Sequence, residues 1–258
     1  MINEYLKSIK FNYIKAKHYK NYKVNRSLTN YQNELDTLIK NGILILPEFF
    51  DKDIVDQIVN EIKPTMFDLC NNKYSGKNKS FRFDDYGVYR LLDIDKISPT
   101  SKKFFELDLI NELAKAYVSK NVHSYQKMSE LKPLVGNMSV SDNWHFDDWK
   151  HRYKAFLYLA DVGEEQAPFV YLKGSHNENM EWRKRKELEY YIYGRHKGSY
   201  GYFVPDEVNY IIEKYNLEKI VCTAKAGSLI IADTRGLHKG NVLRKDYRLT
   251  LASYFDIR

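Results

Sequence analysis

The stretch Trp144-His145-Phe146-Asp147-Asp148-Trp149 decides how the rest of the sequence is interpreted. His145 and Asp147 are two residues apart, so on an extended strand both side chains point to the same face. A third ligand must come from another strand, and His238 follows the apolar run Ser228–Ala232, which Gly227 introduces. Two histidines and one carboxylate form the facial triad of non-haem Fe(II) sites, which leaves coordination positions open. The pattern predicts an iron site at His145, Asp147 and His238.

The surroundings of the pair decide between this prediction and a simpler alternative. A His-x-Asp pair alone is a weak signal, and it also occurs as a surface histidine beside a solvated acidic pair. Here Leu134–Val140 is predicted to be a strand before the pair, and Lys154–Asp161 a strand after it. Arg248 follows His238 by ten residues and opens the aromatic and β-branched run 248–255. This context favours the metal site.

These motifs resemble the phytanoyl-CoA dioxygenase family of Fe(II)/2-oxoglutarate-dependent oxygenases. The likeness spans about residues 36–258, and the segments that carry it are His145-x-Asp147, Pro168–His176, the strand that leads to His238, Arg248, and Asn41–Phe50. The resemblance implies a mainly β fold with flanking helices (α+β), built on a double-stranded β-helix core of the jelly-roll, cupin-like kind. It also implies bound Fe(II), with 2-oxoglutarate and O2 as cosubstrates.

Four further residues are expected to bind 2-oxoglutarate. Arg248 suits the distal C5 carboxylate, because a guanidinium is a planar, permanently charged, bidentate partner for it. Thr250 points to the same face and would add a hydroxyl. Lys154 leads the strand after the metal pair and would point inward toward an anion; an edge position with its ammonium in water is an equal alternative. Asn137 is a weaker candidate for the same cosubstrate.

The resemblance implies hydroxylation of an unactivated C–H bond of a small polar or anionic metabolite, with release of succinate and CO2. Related halogenases have a small residue where Asp147 stands, so its carboxylate favours hydroxylation over halogenation. Desaturation, cyclisation or epimerisation by the same iron chemistry stays an alternative. So does a cupin-like metal-binding protein that is no oxygenase, although Arg248 at its spacing argues against that.

Composition limits the partners and the compartment. The net charge is +7, but residues 1–26 hold six Lys and one Arg against Glu4, so the rest of the chain is nearly neutral. We therefore expect a small-molecule substrate, without nucleic acid or membrane partners, and leave the oligomeric state open. Two cysteines without metal-like spacing and the lack of a long apolar run predict a cytoplasmic protein.

The chain is expected to form one domain over residues 1–258, with a basic N-terminal extension (1–35) and a lid-like insertion (177–220) over the iron site. Such a long connection inside a compact domain is usually functional or disordered. The predicted helices are Leu28–Lys40, Lys52–Ile62 (stopped by Pro64) and Ser101–Ser119. Further strands are predicted at Ile43–Leu46 and Phe81–Leu92. On the latter, Phe81, Phe83 and Tyr89 share one parity and Arg82 and Arg90 the other, so either set could face a substrate pocket. Core packing is favoured for the aromatic side chains and solvent exposure for the arginines.

Overall fold

The computed structural model of the chain describes residues 2–71, 81–83, 87–133, 135–136, 138, 140–194 and 201–256. In these residues the strands are β1 (Ile43–Leu46), β2 (Phe81–Phe83), β3 (Tyr89–Leu92), β4 (Gln126–Lys132), β5 (Arg152–Tyr158), β6 (Val170–Leu172), β7 (Lys219–Val221), β8 (Leu229–Asp233), β9 (His238–Lys239) and β10 (Arg248–Asp256). The α-helices are α1 (Ile2–Asn21), α2 (Gln32–Asn41), α3 (Lys52–Asn71), α4 (Lys102–Phe105), α5 (Asp108–Tyr117), α6 (Glu181–Tyr193) and α7 (Pro205–Tyr215).

Two antiparallel sheets form the centre of the fold. The larger sheet has the order β1-β8-β5-β10-β4-β3-β2, and the smaller has the order β7-β6-β9. Residues of both sheets pack together in one apolar cluster, which includes Tyr158 and Ile230 of the large sheet and Tyr171 of the small one. The predicted fold class, a jelly-roll core with flanking helices, is confirmed.

Alternation along the strands gives the large sheet two different faces. Residues opposite one another in an antiparallel ladder point to the same side, and one such row runs Arg90↔Glu130↔Thr250↔Tyr158 across four strands. The even-numbered residues of these strands therefore share one face. The odd-numbered residues share the other, where apolar side chains such as Leu131 pack against the helices in the main core.

Helix α3 shows that burial overrides a local signal. The prediction that Pro64 stops this helix is wrong, because α3 continues to Asn71. A proline inside a helix costs about 3 kcal/mol. The helix buries four apolar side chains on one face, and each contributes about 1.5–3 kcal/mol when fully buried; they are Val55, Ile58, Ile62 and Met66.

The predicted strand Leu134–Val140 is also wrong in the residues that the structure describes. The strand lies earlier, at β4, and ends at Lys132 before Pro133. Proline cannot donate a hydrogen bond to a sheet ladder, and Gly136 then turns the chain with a φ of +84°. A 3-10 turn, Val140–Asp142, leads into the metal pair instead.

Three other predicted elements differ in their limits. The helix expected at Ser101–Ser119 is divided into α4 and α5, and Asn111 donates its side-chain amide to the carbonyls of Phe105 and Leu107 at the break. The helix expected from Leu28 begins later, at α2. The strand expected at Phe81–Leu92 is two strands, β2 and β3, and residues 84–86 between them lie outside the described part.

The N-terminal extension and the insertion are both largely helical. Helix α1 packs against α6, and Phe11 of α1 is buried between Trp149 and Tyr191, with ring centroids 5.3 and 5.0 Å away. The insertion supplies α6 and α7, which enclose an apolar cluster with Phe146. Whether this insertion acts as a lid, and whether the chain is one domain, stay predictions. In the described residues no helix has the length and apolar character that crossing a membrane requires.

A buried polar network joins the helical layer to the sheet. Asp233, at the end of β8, is fully buried and accepts hydrogen bonds from Tyr117 of α5 at 2.7 Å and from Arg235 at 2.6 Å. Burial alone would raise the pKa of Asp233, but the adjacent Arg235 guanidinium holds it well below its usual range. The carboxylate is therefore ionised in the folded chain.

Asp233→Asn should lower the free energy of unfolding by about 3 kcal/mol, because the buried Arg235 loses its main carboxylate partner and keeps only Glu178 at 3.5 Å. Chemical denaturation at neutral pH measures this, with Asp161→Asn as the control, since Asp161 pairs with Lys225 at the surface. A depressed folded pKa stabilises above the unfolded pKa of about 3.9 and loses that effect as pH falls. The parent should therefore lose more stability below pH ~4 than the variant, and equal losses would contradict the assignment.

Candidate metal centre

Backbone pairing places His145 and His238 side by side. Their strands run antiparallel, and each residue donates its backbone N–H to the carbonyl of the other at 2.9 Å. The two imidazole rings lie on the same side of this pair, with centroids 4.3 Å apart. Two residues that are distant in sequence thus become direct cross-strand neighbours at the edge of the small sheet.

Asp147 completes a buried three-residue cluster. Its backbone N–H donates to the carbonyl of Thr234 at 2.8 Å, which fixes the segment after His145. Its carboxylate oxygens lie 3.8 Å from Nε2 of His145 and 3.9 Å from Nε2 of His238. One ligand atom from each of the three residues lies within 4.8 Å of the others. Phe146, between the two, points the other way into the α6/α7 cluster, as alternation requires.

Hydrogen bonds to the backbone set the tautomer of both histidines. Nδ1 of His145 lies 2.7 Å from the carbonyl oxygen of Asn143, and Nδ1 of His238 lies 2.9 Å from that of Gly236. A carbonyl only accepts, so each Nδ1 carries the proton and each Nε2 presents a lone pair toward Asp147. Metal-binding histidines commonly use this arrangement, so the three side chains fit a divalent ion.

Lys154 lies at the metal end of the cavity. Its ammonium is 2.5 Å from Oδ2 of Asp147 and 4.2 Å from the ring centroid of Tyr254, which it faces across the ladder. Of the two equal alternatives for Lys154, the structure has the inward one. Arg248 lies six residues before Tyr254 along β10. Lys154, which stands opposite Tyr254 on β5, is therefore at the other end of the β5–β10 ladder from Arg248. A role of Lys154 in binding 2-oxoglutarate stays a prediction.

Arg248 and Thr250 form the other end. Arg248 is half-buried, and Nη1 donates to the carbonyl of Ala167, whose residue has a left-handed φ of +55°. Thr250 is buried, and its hydroxyl makes no hydrogen bond with the residues that the structure describes. An orphaned buried hydroxyl is uncommon. Arg248 beside it has no carboxylate partner in the described residues. The Thr250 hydroxyl and the Arg248 guanidinium together therefore mark a place for an anionic ligand.

A cavity of about 340 Å³ connects the two ends. The sheet residues that line it are even-numbered, as the alternation dictates: Arg90, Leu92, Gln126, Met128, Glu130, Arg152, Lys154, Phe156, Tyr158, Ile230, Arg248, Thr250 and Tyr254. The loops and the small sheet add Val88, Tyr125, Ser141, His145, Asp147, Phe169, His238 and Gly240. Volumes of this size are usual for small-molecule sites.

Sequence reasoning missed part of the cavity wall. Of the two positions considered for Arg90, the favoured one in solvent is wrong: Arg90 lines the cavity, and its Nε donates to Oε1 of Glu130 at 2.7 Å. No signal in the sequence indicates this pairing, because the predicted strand lies too late in the chain to include Glu130. Tyr125 also lines the cavity, and burial raises its pKa to about 12, so its hydroxyl is protonated. Asn137, expected to contact the cosubstrate, lies outside the described residues.

Helix α1 buttresses the loop that follows Asp147. Tyr19 donates its hydroxyl to the carbonyl of Trp149 at 3.0 Å, and Nε2 of His18 lies 3.0 Å from Nδ1 of His151. Burial, with the nearby Arg235 charge, lowers the pKa of His18 to about 4 and that of His151 to about 2. Both rings are therefore neutral, and one of them donates a buried N–H···N hydrogen bond to the other.

Solved structures similar to this chain are iron- and α-ketoglutarate-dependent enzymes. The epimerase SnoN of nogalamycin biosynthesis is 16% identical, with a TM-score of 0.59 over 89% of this chain and 83% of SnoN. EctD from S. alaskensis, solved with bound Fe, is 15% identical, with a TM-score of 0.63 over 90% and 78%. The carbocyclase SnoK, also of nogalamycin biosynthesis, is 13% identical, with a TM-score of 0.55 over 87% and 83%.

Comparisons by sequence add nothing to this. No family model matches the chain, and no curated protein matches it. At the identities above, structural likeness establishes the shared fold alone. The narrower resemblance to the phytanoyl-CoA dioxygenase family therefore stays a prediction.

His145→Ala and His238→Ala should each lower Fe(II) affinity by on the order of 100-fold or more, since even residues that only support a ligand contribute 10- to 100-fold. Iron content after anaerobic loading and desalting measures this. His123→Ala, at an exposed histidine outside the cluster, is the control. Stoichiometric iron in either cluster variant would exclude that residue as a ligand.

Gly236→Ala should disturb the site through packing. A Cβ at Gly236 would lie 2.0 Å from the Tyr171 hydroxyl oxygen and 2.9 Å from Oγ of Ser175, so the backbone that holds His238 must shift. We expect about 1–3 kcal/mol of lost stability and roughly tenfold weaker iron binding. Gly163→Ala, which meets only the flexible Gln166 side chain at 3.0 Å, should change neither in thermal melts and iron titration. Parental iron affinity in Gly236→Ala would contradict the account.

Proposed function

We propose that the chain is an Fe(II)- and 2-oxoglutarate-dependent oxygenase that acts on a small molecule. The observation that carries the proposal is the pairing of two features in one cavity. One is the buried cluster of His145, Asp147 and His238. The other is Arg248 beside the orphaned hydroxyl of Thr250. A cupin-like binding protein has no need of the second feature.

His145, Asp147 and His238 would hold the iron on one face. Bound there, Fe(II) would supply the oxidation of 2-oxoglutarate by O2 to succinate and CO2 and the attack on a substrate C–H bond. Each histidine presents Nε2, because Nδ1 donates to a backbone carbonyl. Lys154 holds one carboxylate oxygen of Asp147 and so orients this ligand.

Arg248 and Thr250 would bind the C5 carboxylate of 2-oxoglutarate. The cavity-lining cations differ in how their charge is balanced within the described residues. Arg90 pairs with Glu130 at 2.7 Å, Lys154 with Asp147 at 2.5 Å, and Arg152 with Asp256 at 2.6 Å. Arg248 has no carboxylate partner there, so its charge is available to a ligand carboxylate.

Hydroxylation is the favoured outcome. Asp147 supplies the carboxylate ligand whose position halide would otherwise take, so halogenation is not expected. Desaturation, cyclisation or epimerisation is the alternative outcome, and similar structures include an epimerase and a carbocyclase. These outcomes share the metal and cosubstrate sites and differ only in the substrate and its placement.

Arg248→Ala should weaken 2-oxoglutarate binding to the iron-loaded protein by roughly 10- to 100-fold, because hydrogen bonds to charged groups contribute about 1.5–3 kcal/mol. Arg248→Lys should recover only part of this, since lysine lacks the planar fork. Calorimetric titration of 2-oxoglutarate under anaerobic conditions measures both variants.

Iron binding should survive in both variants, which separates the loss of a cosubstrate contact from misfolding. Unchanged 2-oxoglutarate affinity in Arg248→Ala would mean that the carboxylate is held elsewhere, with Lys154 the next candidate. Loss of iron would point to a structural role of Arg248 and leave the cosubstrate assignment unsupported.

A further inference from the structure

One carboxylate in the cavity wall has no part in metal or 2-oxoglutarate binding. Glu130 lies on β4, and its side chain is 9% exposed. Two hydrogen bonds reach it from the described residues, from Nε of Arg90 at 2.7 Å and from the Tyr254 hydroxyl at 3.2 Å. Both end on Oε1. No described residue donates a hydrogen bond to Oε2. The Glu130 side chain lines the cavity.

Glu130 is ionised despite its burial. Burial alone would raise its pKa, but the positive charges of Arg90, Arg248 and Lys154 together hold the pKa below its usual range. An ionised carboxylate is an acceptor at both oxygens, and leaving a buried charged acceptor unsatisfied costs more than the desolvation of a neutral group. Oε2, which receives no hydrogen bond from the described residues, is therefore open to a donor from within the cavity.

Glu130 stands between the cosubstrate site and the metal cluster. It is directly opposite Thr250 and one ladder row away from Arg248. Its hydrogen bond from Tyr254, four residues further along β10, ties the carboxylate to the side of the cavity where Lys154 and the metal cluster lie. In the row between them stands Ala252, whose small side chain leaves space at the centre of the cavity face.

Charge balance restricts what the donor belongs to. Iron would add two positive charges, and within the described part of the chain Arg90 pairs with Glu130, Arg152 with Asp256 and Lys154 with Asp147. A ligand with positive charge alone would be repelled by the iron and by these cations. Among the described carboxylates that line the cavity, Asp147 belongs to the metal cluster, and Glu130, which pairs with Arg90 through Oε1, keeps Oε2 open. A cationic nitrogen therefore fits at Oε2, on a molecule that also carries negative charge.

We infer that the substrate is a small zwitterion of the amino-acid type, whose cationic amine nitrogen binds Oε2 of Glu130. This inference rests on the proposed function and names the substrate class of the same site. Arg90 and Tyr254 act as positioning residues, since they hold Oε1 and so aim Oε2 into the cavity. Met128 and Leu92, which line the same wall, would contact the aliphatic part of the substrate.

The test is equilibrium binding to protein loaded anaerobically with Fe(II) and 2-oxoglutarate, so that no turnover occurs. The probes are L-ornithine and 4-aminobutyrate, their N-acetylated counterparts, in which the modified nitrogen carries no charge, and putrescine, which has no anionic group. The parent should bind at least one of the two amino acids at least tenfold more tightly than its N-acetylated counterpart. Putrescine should also bind more weakly than that amino acid.

Glu130→Gln keeps the shape of the side chain and removes its charge. It should retain iron and 2-oxoglutarate binding and lose the preference for the free amine. Glu218→Gln, at an exposed glutamate paired with Lys173 outside the cavity, should behave as the parent. Tyr254→Phe should reduce the preference partly, because Oε1 loses one of its two hydrogen bonds.

The outcomes are distinguishable. If the parent binds iron and 2-oxoglutarate but neither amino acid better than its N-acetylated counterpart, the inference is wrong and the proposed function stands. The inference is also wrong if Glu130→Gln keeps the preference, and a lowered melting temperature in that variant would then mark Glu130 as a structural partner of Arg90. If the parent binds neither iron nor 2-oxoglutarate, the proposed function fails and the inference fails with it.

Discussion

The register of the large antiparallel sheet is the constraint on which the rest of the structure depends. Alternation gives it one apolar face, which the helices cover, and one face of mixed polar and apolar side chains, which lines the cavity. A slip of one residue in any central strand would exchange the two sets. Lys154, Glu130 and Arg248 would then be buried among the helices, where an unpaired charge costs several kcal/mol. The same register that buries the core therefore holds the cations and carboxylates of the cavity in place.

The metal cluster depends on a second, local constraint. His145 and His238 come from distant parts of the chain, and their mutual backbone hydrogen bonds set the separation of the rings. Once the backbone is fixed, only the side-chain rotamers of the two histidines remain to be set. The turn between β8 and β9 is held by Asp233, which binds Arg235, and by the close approach of Gly236 to Tyr171. A rigid backbone frame thus presents the ligand atoms, as a preorganised site requires.

Motifs with strong local signals could be predicted from the sequence. Strands at residues 43–46, 229–233 and 248–256 follow from apolar runs and alternation, whereas the sequence leaves the inward and edge positions of Lys154 equally open. The sequence could not place β4, because Pro133 shifts the strand toward residues of mixed polarity. Missing β4 meant missing Glu130, whose inward direction is visible only from its ladder partner Thr250. The path of α3 through Pro64 likewise depends on tertiary burial that no local window contains.

The central claim is that one iron and one 2-oxoglutarate share this cavity. Anomalous diffraction at the iron edge, from crystals grown anaerobically with Fe(II) and 2-oxoglutarate, tests it most directly. The account predicts a single iron peak within bonding distance of His145 Nε2, His238 Nε2 and the Asp147 carboxylate. The C5 carboxylate of 2-oxoglutarate should contact Arg248 and Thr250. An iron peak away from these three residues, or a carboxylate bound at the Glu130 wall instead, would contradict it.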